Sequence, residues 1–181
     1  MKNIFFVSLF LLLTCVSCKD KAPSSAETDM SAVGQESAVQ HLGNSEITTV
    51  FKAGSAEYTV TVSCHTDTSL NQVVDVLDNP YYDNCAEITI LRNGEEWYKK
   101  TFNKSDFASR LTQQEMKQCA LIGFAFEEDE STPQTLQFSC KLGIPGPEDG
   151  PAFIVQISTS DHSIAVKVDD RQVDMGEENL I

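Results

Sequence analysis

From Glu46 onward the chain alternates apolar and polar positions with period two, the pattern of half-buried strands. Tyr58, Val60, Val62 and Cys64 alternate with Thr59, Thr61, Ser63 and His65. Ile47 to Phe51 precedes this run across Ala53-Gly54-Ser55, a hairpin-like break. Val73 to Leu77 is a shorter strand candidate, ended by Asp78-Asn79-Pro80, because proline has no N–H to give a ladder. Ala86, Ile88 and Ile90 alternate with Glu87, Thr89 and Leu91; then come Asn93-Gly94 and Trp97 to Phe102. Asn-Gly between two β-rich runs predicts a tight hairpin, since both central residues need positive φ. Leu121 to Phe126, Thr135 to Leu142, Ala152 to Ser158 and Ser163 to Val168 complete about nine strands.

Asn103 to Ala120 is the one stretch with helical character. Asn103 or Ser105 can cap a first turn over Phe107, Arg110 and Leu111. Thr112-Gln113-Gln114-Glu115 matches a capping box, so a second short helix is predicted there. Ile144 to Pro151 holds three prolines and two glycines, which forbid regular structure. Asp161-His162 reads as the turn joining the last two strands. The expected class is α+β, mainly antiparallel β, about nine strands with a short two-helix insertion. No βαβ alternation is present to build a nucleotide-binding parallel sheet.

The N-terminus breaks the pattern. Met1-Lys2-Asn3 precedes Ile4 to Leu13, apolar apart from Ser8. A charged start and an apolar run of this length are the marks of a secretory signal peptide, and the run is shorter than the roughly 18 residues of a membrane-spanning helix. Just beyond it, Leu12-Leu13-Thr14-Cys15-Val16-Ser17-Cys18 resembles a bacterial lipobox. Small Ser17 precedes Cys18, which makes Cys18 the favoured lipidated residue over Cys15, whose preceding Thr14 is bulkier. The resemblance implies removal of residues 1–17 and several acyl chains on Cys18, palmitate among the expected kinds; more than one chain is what stable anchoring needs. Residues 18–45 then carry small and polar side chains without an aromatic and read as a tether. As a flexible coil its length corresponds to about 30 Å root-mean-square. Residues 46–170 form one globular domain, and residues 171–181 an acidic tail; the chain from Asp169 is expected to be loose.

Composition narrows the partners. The 181 residues carry 13 Lys plus Arg against 27 Asp plus Glu, a formal charge of −14. Neutralising phosphates needs clustered Lys and Arg, so nucleic acid is excluded as a partner class, as is electrostatic attraction to an anionic membrane. The expected membrane contact is the lipid anchor alone.

Four cysteines remain in the exported domain: Cys64, Cys85, Cys119 and Cys140. Disulfides persist outside the cytoplasm, and four cysteines allow three connectivities. Cys64 ends one predicted strand and Cys85 begins another. Cys119 and Cys140 lie almost symmetrically about the acidic loop near Asp129 and Glu130. Both pairs are 21 positions apart (85 − 64 and 140 − 119). Cross-strand placement favours Cys64–Cys85 with Cys119–Cys140. Cys64–Cys140 with Cys85–Cys119 is the second connectivity, and four buried thiols the remaining case.

Tyr81-Tyr82-Asp83-Asn84, the hairpin from Ile88 to Phe102, Thr101-Phe102-Asn103-Lys104-Ser105-Asp106-Phe107 and the Ile154 to Val168 hairpin, together with the lipobox, are similar to a group of Bacteroidetes cell-envelope lipoproteins. Their globular domain is of unknown function. The resemblance implies a single domain, lipid-anchored in the bacterial cell envelope, and brings no catalytic residues with it.

The chemistry-bearing residues are few. Asp161-His162-Ser163 holds three triad residue types, but chain neighbours point apart and do not converge as a triad must. Neither Gly-x-Ser-x-Gly nor His-Glu-x-x-His occurs. His65 and Asp67, with Asp75, Asp78 and Asp83 following, could collect a hard cation, yet the spacing is not that of an EF-hand. No metal and no cofactor are expected. Glu127-Glu128-Asp129-Glu130 reads as a solvated acidic loop open to a basic partner. Trp97, Tyr98, Tyr81 and Tyr82 are candidates for an aromatic binding platform, with loop-borne Tyr81 and Tyr82 favoured beside His65. The leading expectation is a non-enzymatic binding module for an envelope protein or glycan. The alternative is an enzyme of unrecognised type that uses His65 or His162 with nearby acids.

Overall fold

The structure, a computed structural model, describes residues 38–171. The predicted signal peptide, Cys18 and most of the tether lie outside those residues. Ten strands form three antiparallel sheets. The first sheet holds β1 (Ser45–Ala53), β2 (Ala56–Thr66), β5 (Asn84–Arg92) and β6 (Glu95–Phe102), in the order β1-β2-β5-β6. The second holds β7 (Ala120–Phe126), β8 (Thr135–Gly143), β9 (Ala152–Ser158) and β10 (Ile164–Val168), in the order β10-β9-β8-β7. A small ribbon pairs β3 (Val73–Val74) with β4 (Pro80–Tyr81).

Period two explains the core. Tyr58, Val60, Val62 and Cys64 of β2, Ala86, Ile88 and Ile90 of β5, Phe138, Cys140 and Leu142 of β8, and Phe153, Val155 and Ile157 of β9 are all buried and belong to one cluster between the sheets. Phe51 meets Phe126 at 5.7 Å between ring centroids, and Phe102 meets Phe124 at 5.1 Å. The Asn93-Gly94 hairpin forms as predicted, with φ of 51° and 85°. Asn93 also caps it, its side chain accepting from the N–H of Glu57 at 2.9 Å.

The α+β expectation is corrected. The fold is a β-rich sandwich, and the helical connection is too small to form a layer. It consists of a 3₁₀ segment, Lys104–Arg110, and a six-residue helix α1, Gln113–Gln118. Both capping boxes are present, Asn103 with Asp106 and Thr112 with Glu115. Capping starts a helix, but a helical layer needs an apolar stripe to bury. Gln-Gln-Glu-Met-Lys-Gln buries nothing, and the 3₁₀ segment buries only Lys104 and Phe107. These pieces carry the chain across from the first sheet to the second.

Two boundaries also differ. Val73 to Leu77 shortens to a two-residue strand, and Pro80, read as a terminator, itself pairs with Val74. On a two-stranded edge its missing N–H costs nothing, and its carbonyl accepts from Gln40 N–H at 2.8 Å. Residues read as the end of the tether are therefore docked: Gln40 also accepts from Tyr82 N–H at 2.9 Å. At the other terminus Asp169 N–H bonds Ala152, and Arg171 grips Asp169 and Glu127 at 2.8 and 2.9 Å. Asp169 to Arg171 are thus fixed; residues 172–181 lie outside the described chain.

This clasp predicts an acid sensitivity. Burial raises the Glu127 carboxyl, but bonds from Arg171 and Gln137 outweigh it and leave it below its ordinary value. The Arg171 bond lowers Asp169 likewise. Lowered carboxyls contribute stability that is complete above about pH 5 and lost as pH falls through their folded values. The urea midpoint should fall between about pH 5 and pH 3, and Arg171→Gln should flatten that fall.

Candidate functional site

The antiparallel registers give the sandwich two distinct ends. At one, Ser45 faces Cys64, Thr66 faces Asn84 and Ala86 faces Phe102. At the other stand the tips Ala53–Ala56 and Arg92–Glu95, the acidic loop after Phe126 and the turn between β9 and β10.

The turn end gathers two of the candidate platform aromatics, Trp97 and Tyr98, with His162, a residue the sequence did not place beside them. The β5–β6 register shifts between Ile90 and Leu91: Leu91 pairs with Glu96 and Ile90 with Tyr98. Trp97 is the extra residue of a β-bulge, which re-aims a side chain. Two successive aromatics therefore lean the same way, and the His162 ring meets both, Trp97 at 4.4 Å and Tyr98 at 5.7 Å between centroids. Tyr58 backs Trp97 at 5.8 Å. His162 holds φ of 61°, a left-handed conformation that costs a non-glycine residue about 1–3 kcal/mol. Tyr98 is the one described residue whose buried side-chain oxygen finds no hydrogen-bond partner among the described residues. Nothing in the sequence spacing connects position 162 to position 97; only the bulge and the turn do.

The favoured sequence candidates divide. His65 and Cys85 face one another across β2 and β5, and Nε2 lies 3.4 Å from Sγ. Tyr82 instead packs on His41 at 5.1 Å, and Tyr81 sits in the β3–β4 ribbon. His65, Tyr81 and Tyr82 are thus given to different partners. A cysteine beside a histidine suggests a nucleophile, but nucleophilic attack needs the thiolate. Burial pushes the Cys85 thiol up, and the Asp67 carboxylate adds to the same effect. Of the acids that could collect a cation, Asp67 accepts from Ser69 and Asp75 from Leu77 and Asn79, while Asp83 pairs with Lys104. No group of three or more metal-ligating side chains occurs among the described residues.

The disulfide expectation is also corrected: all four cysteines are free and buried. Cys64 is opposite Ala86 and His65 is opposite Cys85. Directly opposed residues share a face and successive ones alternate, so Cys64 points into the core while Cys85 points away from it. Cys140 is opposite Phe124, and Ala120 is opposite Gly143. Cys119 therefore lies about four residues along the ladder from Cys140, roughly 13 Å, beyond the roughly 7 Å a bridge spans. The β7–β8 hairpin turns about Thr132, since Phe126 pairs with Phe138, and not about Asp129 and Glu130, so the two cysteines are not symmetric across it. Burial pushes all four thiols up, Cys140 most, with Cys64 adding to it. Native protein at neutral pH should resist N-ethylmaleimide at these four cysteines, and urea should expose all four to it. A Cys64–Cys85 peptide in a non-reducing digest would contradict this arrangement.

Two of the segments that carried the family resemblance meet in the interior. Asp83 and Lys104 form a buried ion pair, Oδ2 to Nζ at 3.2 Å. Asp83 Oδ1 accepts from the backbone N–H of Asn84 and of Leu121, each at 2.8 Å. Lys104 Nζ also donates to the Cys119 carbonyl at 2.6 Å. A cavity of about 140 Å³ lies against the pair, lined also by Asn71, Asn103, Ser105 and Met116. One pair therefore joins β5, the helical connection and β7. The charges satisfy each other and the surrounding backbone, so these segments act as an internal clasp.

Fold and sites together define a β-sandwich closed by a buried ion pair, with an aromatic cluster at its turn end. The chain belongs to a family described as a domain of unknown function, DUF4738, whose model matches residues 25–165. No curated protein matches the chain in sequence.

Proposed function

We propose that the protein is a lipid-anchored binding module of the bacterial cell envelope, acylated on Cys18 after residues 1–17 are removed, and that it holds an envelope protein or glycan. The lipobox-like Leu12 to Cys18 segment supports the anchor. The observation that carries the binding reading is polarity along the strands. The chain enters the sandwich at the Ser45 end, and the Trp97–Tyr98–His162 cluster and the acidic loop stand at the opposite end, which in this reading is the end turned from the membrane. An enzymatic reading through His65 draws no support from a thiol raised by burial. Through His162 it draws none from a ring packed against Trp97 and Tyr98.

Mass spectrometry of membrane-extracted protein tests the anchor. Acyl mass, palmitoyl chains included, on an N-terminal Cys18 is expected; acyl mass on Cys15 or a soluble mature form overturns it. Cross-linking in intact cells tests the module. A partner captured through the turn end is expected, and capture solely through the Ser45 end contradicts the orientation.

A further inference from the structure

One edge of the second sheet combines two features that go unused among the described residues. By register, Ile164, Val166 and Val168 share the face of Ile157, Val155 and Phe153, the fully buried core face. Yet β10 is not roofed there: Ile164 is 39% and Val168 57% exposed, and Val166 is half-buried. The backbone of the same three residues also faces outward. Ser158 N–H bonds the Ser163 carbonyl, and Asp169 N–H bonds the Ala152 carbonyl. Antiparallel ladders alternate, so residues 163, 165, 167 and 169 turn their backbone groups toward β9. Ile164, Val166 and Val168 turn theirs away, on an edge unpaired among the described residues. An outward row of N–H and C=O groups aligned with an unroofed apolar strip is a template for strand addition.

Of the other sheet edges, β1 offers less. On β1, Ile47 shares the core face with Val62, but Val50 shares the outer face with Thr59. Its apolar groups are split between two faces. Thr48 and Lys52 are engaged with Thr61 and Glu57.

We infer that β10 is the docking edge for an extended segment of another protein in which apolar residues alternate with basic ones. Charge complementarity selects that occupant. The chain carries −14 formally, and exposed Asp161 and Asp170 flank the two ends of β10, outnumbering the one exposed cation within it, Lys167. Hydrogen bonds from serines beside Asp161, Ser158 and Ser163 among them, hold its carboxyl at about 2, so it stays anionic. A second copy would bring the same negative charge to the edge. The inference rests on the binding-module reading and names the partner class for it.

The test uses full-length ¹⁵N-labelled protein in mild detergent and a synthetic nine-residue peptide of alternating valine and lysine. Shifts and slowed hydrogen exchange are expected at the Ile164, Val166 and Val168 amides, with affinity falling as salt rises. Val166→Pro removes an outward N–H that β9 does not use, so the fold is kept while peptide affinity drops at least tenfold. The same peptide N-methylated on alternate residues should bind at least tenfold more weakly. Absence of shifts at millimolar peptide, equal binding of the N-methylated peptide, or indifference to Val166→Pro would overturn the inference. So would peptide-free dimerisation abolished by Val166→Pro, or binding seen only after deletion of residues 172–181. A glycan ligand mapped to Trp97 would overturn it too, while leaving the binding-module reading intact.

Discussion

Replacing Lys104 by methionine is expected to destabilise the domain by about 3–5 kcal/mol, the usual consequence of removing one partner from a buried ion pair. The methionine keeps the apolar stem and deletes the charged donor. Asp83, with its side chain 3% exposed, is then left as a buried carboxylate. Its two backbone donors, Asn84 and Leu121, remain, but the Cys119 carbonyl loses its Nζ donor. Asp83→Asn in the same background removes the stranded charge, and its side-chain oxygen still accepts both N–H groups. The double variant should recover most of the loss, because a buried pair replaced as a unit is often near neutral. Urea denaturation of the four proteins measures this cycle. Additive losses, or a Lys104→Met cost below about 0.5 kcal/mol, an ordinary surface effect, would show that the clasp does not hold the sheets.

Why part of this architecture was readable and part was not follows from what each feature depends on. Alternation at Tyr58–Cys64 and Ala86–Ile90, and positive φ at Asn93-Gly94, are local, and the strands and hairpin appear where the pattern placed them. The capping boxes at Asn103 and Thr112 are local too, and both formed. The step from two caps to an α+β class failed because caps say where a helix starts, while layer formation depends on what it buries. Register is not local. The favoured Cys64–Cys85 bridge needed the two residues opposite each other, and a one-position offset put them on opposite faces. Bulges at Leu121–Gly123 and Ile90–Leu91 are equally silent in the pattern, and the second is what brings Trp97 and Tyr98 together under His162. Asp83 and Lys104 stood inside quoted motifs, yet their pairing joins segments that only the crossing between sheets brings together.

Phe107→Ala is the other substitution with a large expected effect, again about 3–5 kcal/mol, from lost transfer energy and the cavity left behind. Phe107 is fully buried although its segment is a single 3₁₀ stretch of seven residues. Its ring stacks on Phe153 of β9, centroids 5.0 Å apart and 26° between planes. Here the helical connection acts as a lid on the core face of the second sheet. Met116 of the neighbouring helix α1 is not buried, so Met116→Ala should cost under about 1 kcal/mol and serves as the control. Phe107→Ala and Phe153→Ala should be strongly non-additive, since removing either ring already abolishes the stack. Thermal or urea melts of the single and double variants decide it. Equal effects at Phe107 and Met116 would mean that both helical pieces are ornaments on the sandwich. A large effect confined to Phe107 makes the Asn103-capped turn part of the core, with Lys104 and Phe107 three residues apart as its ionic and apolar contacts.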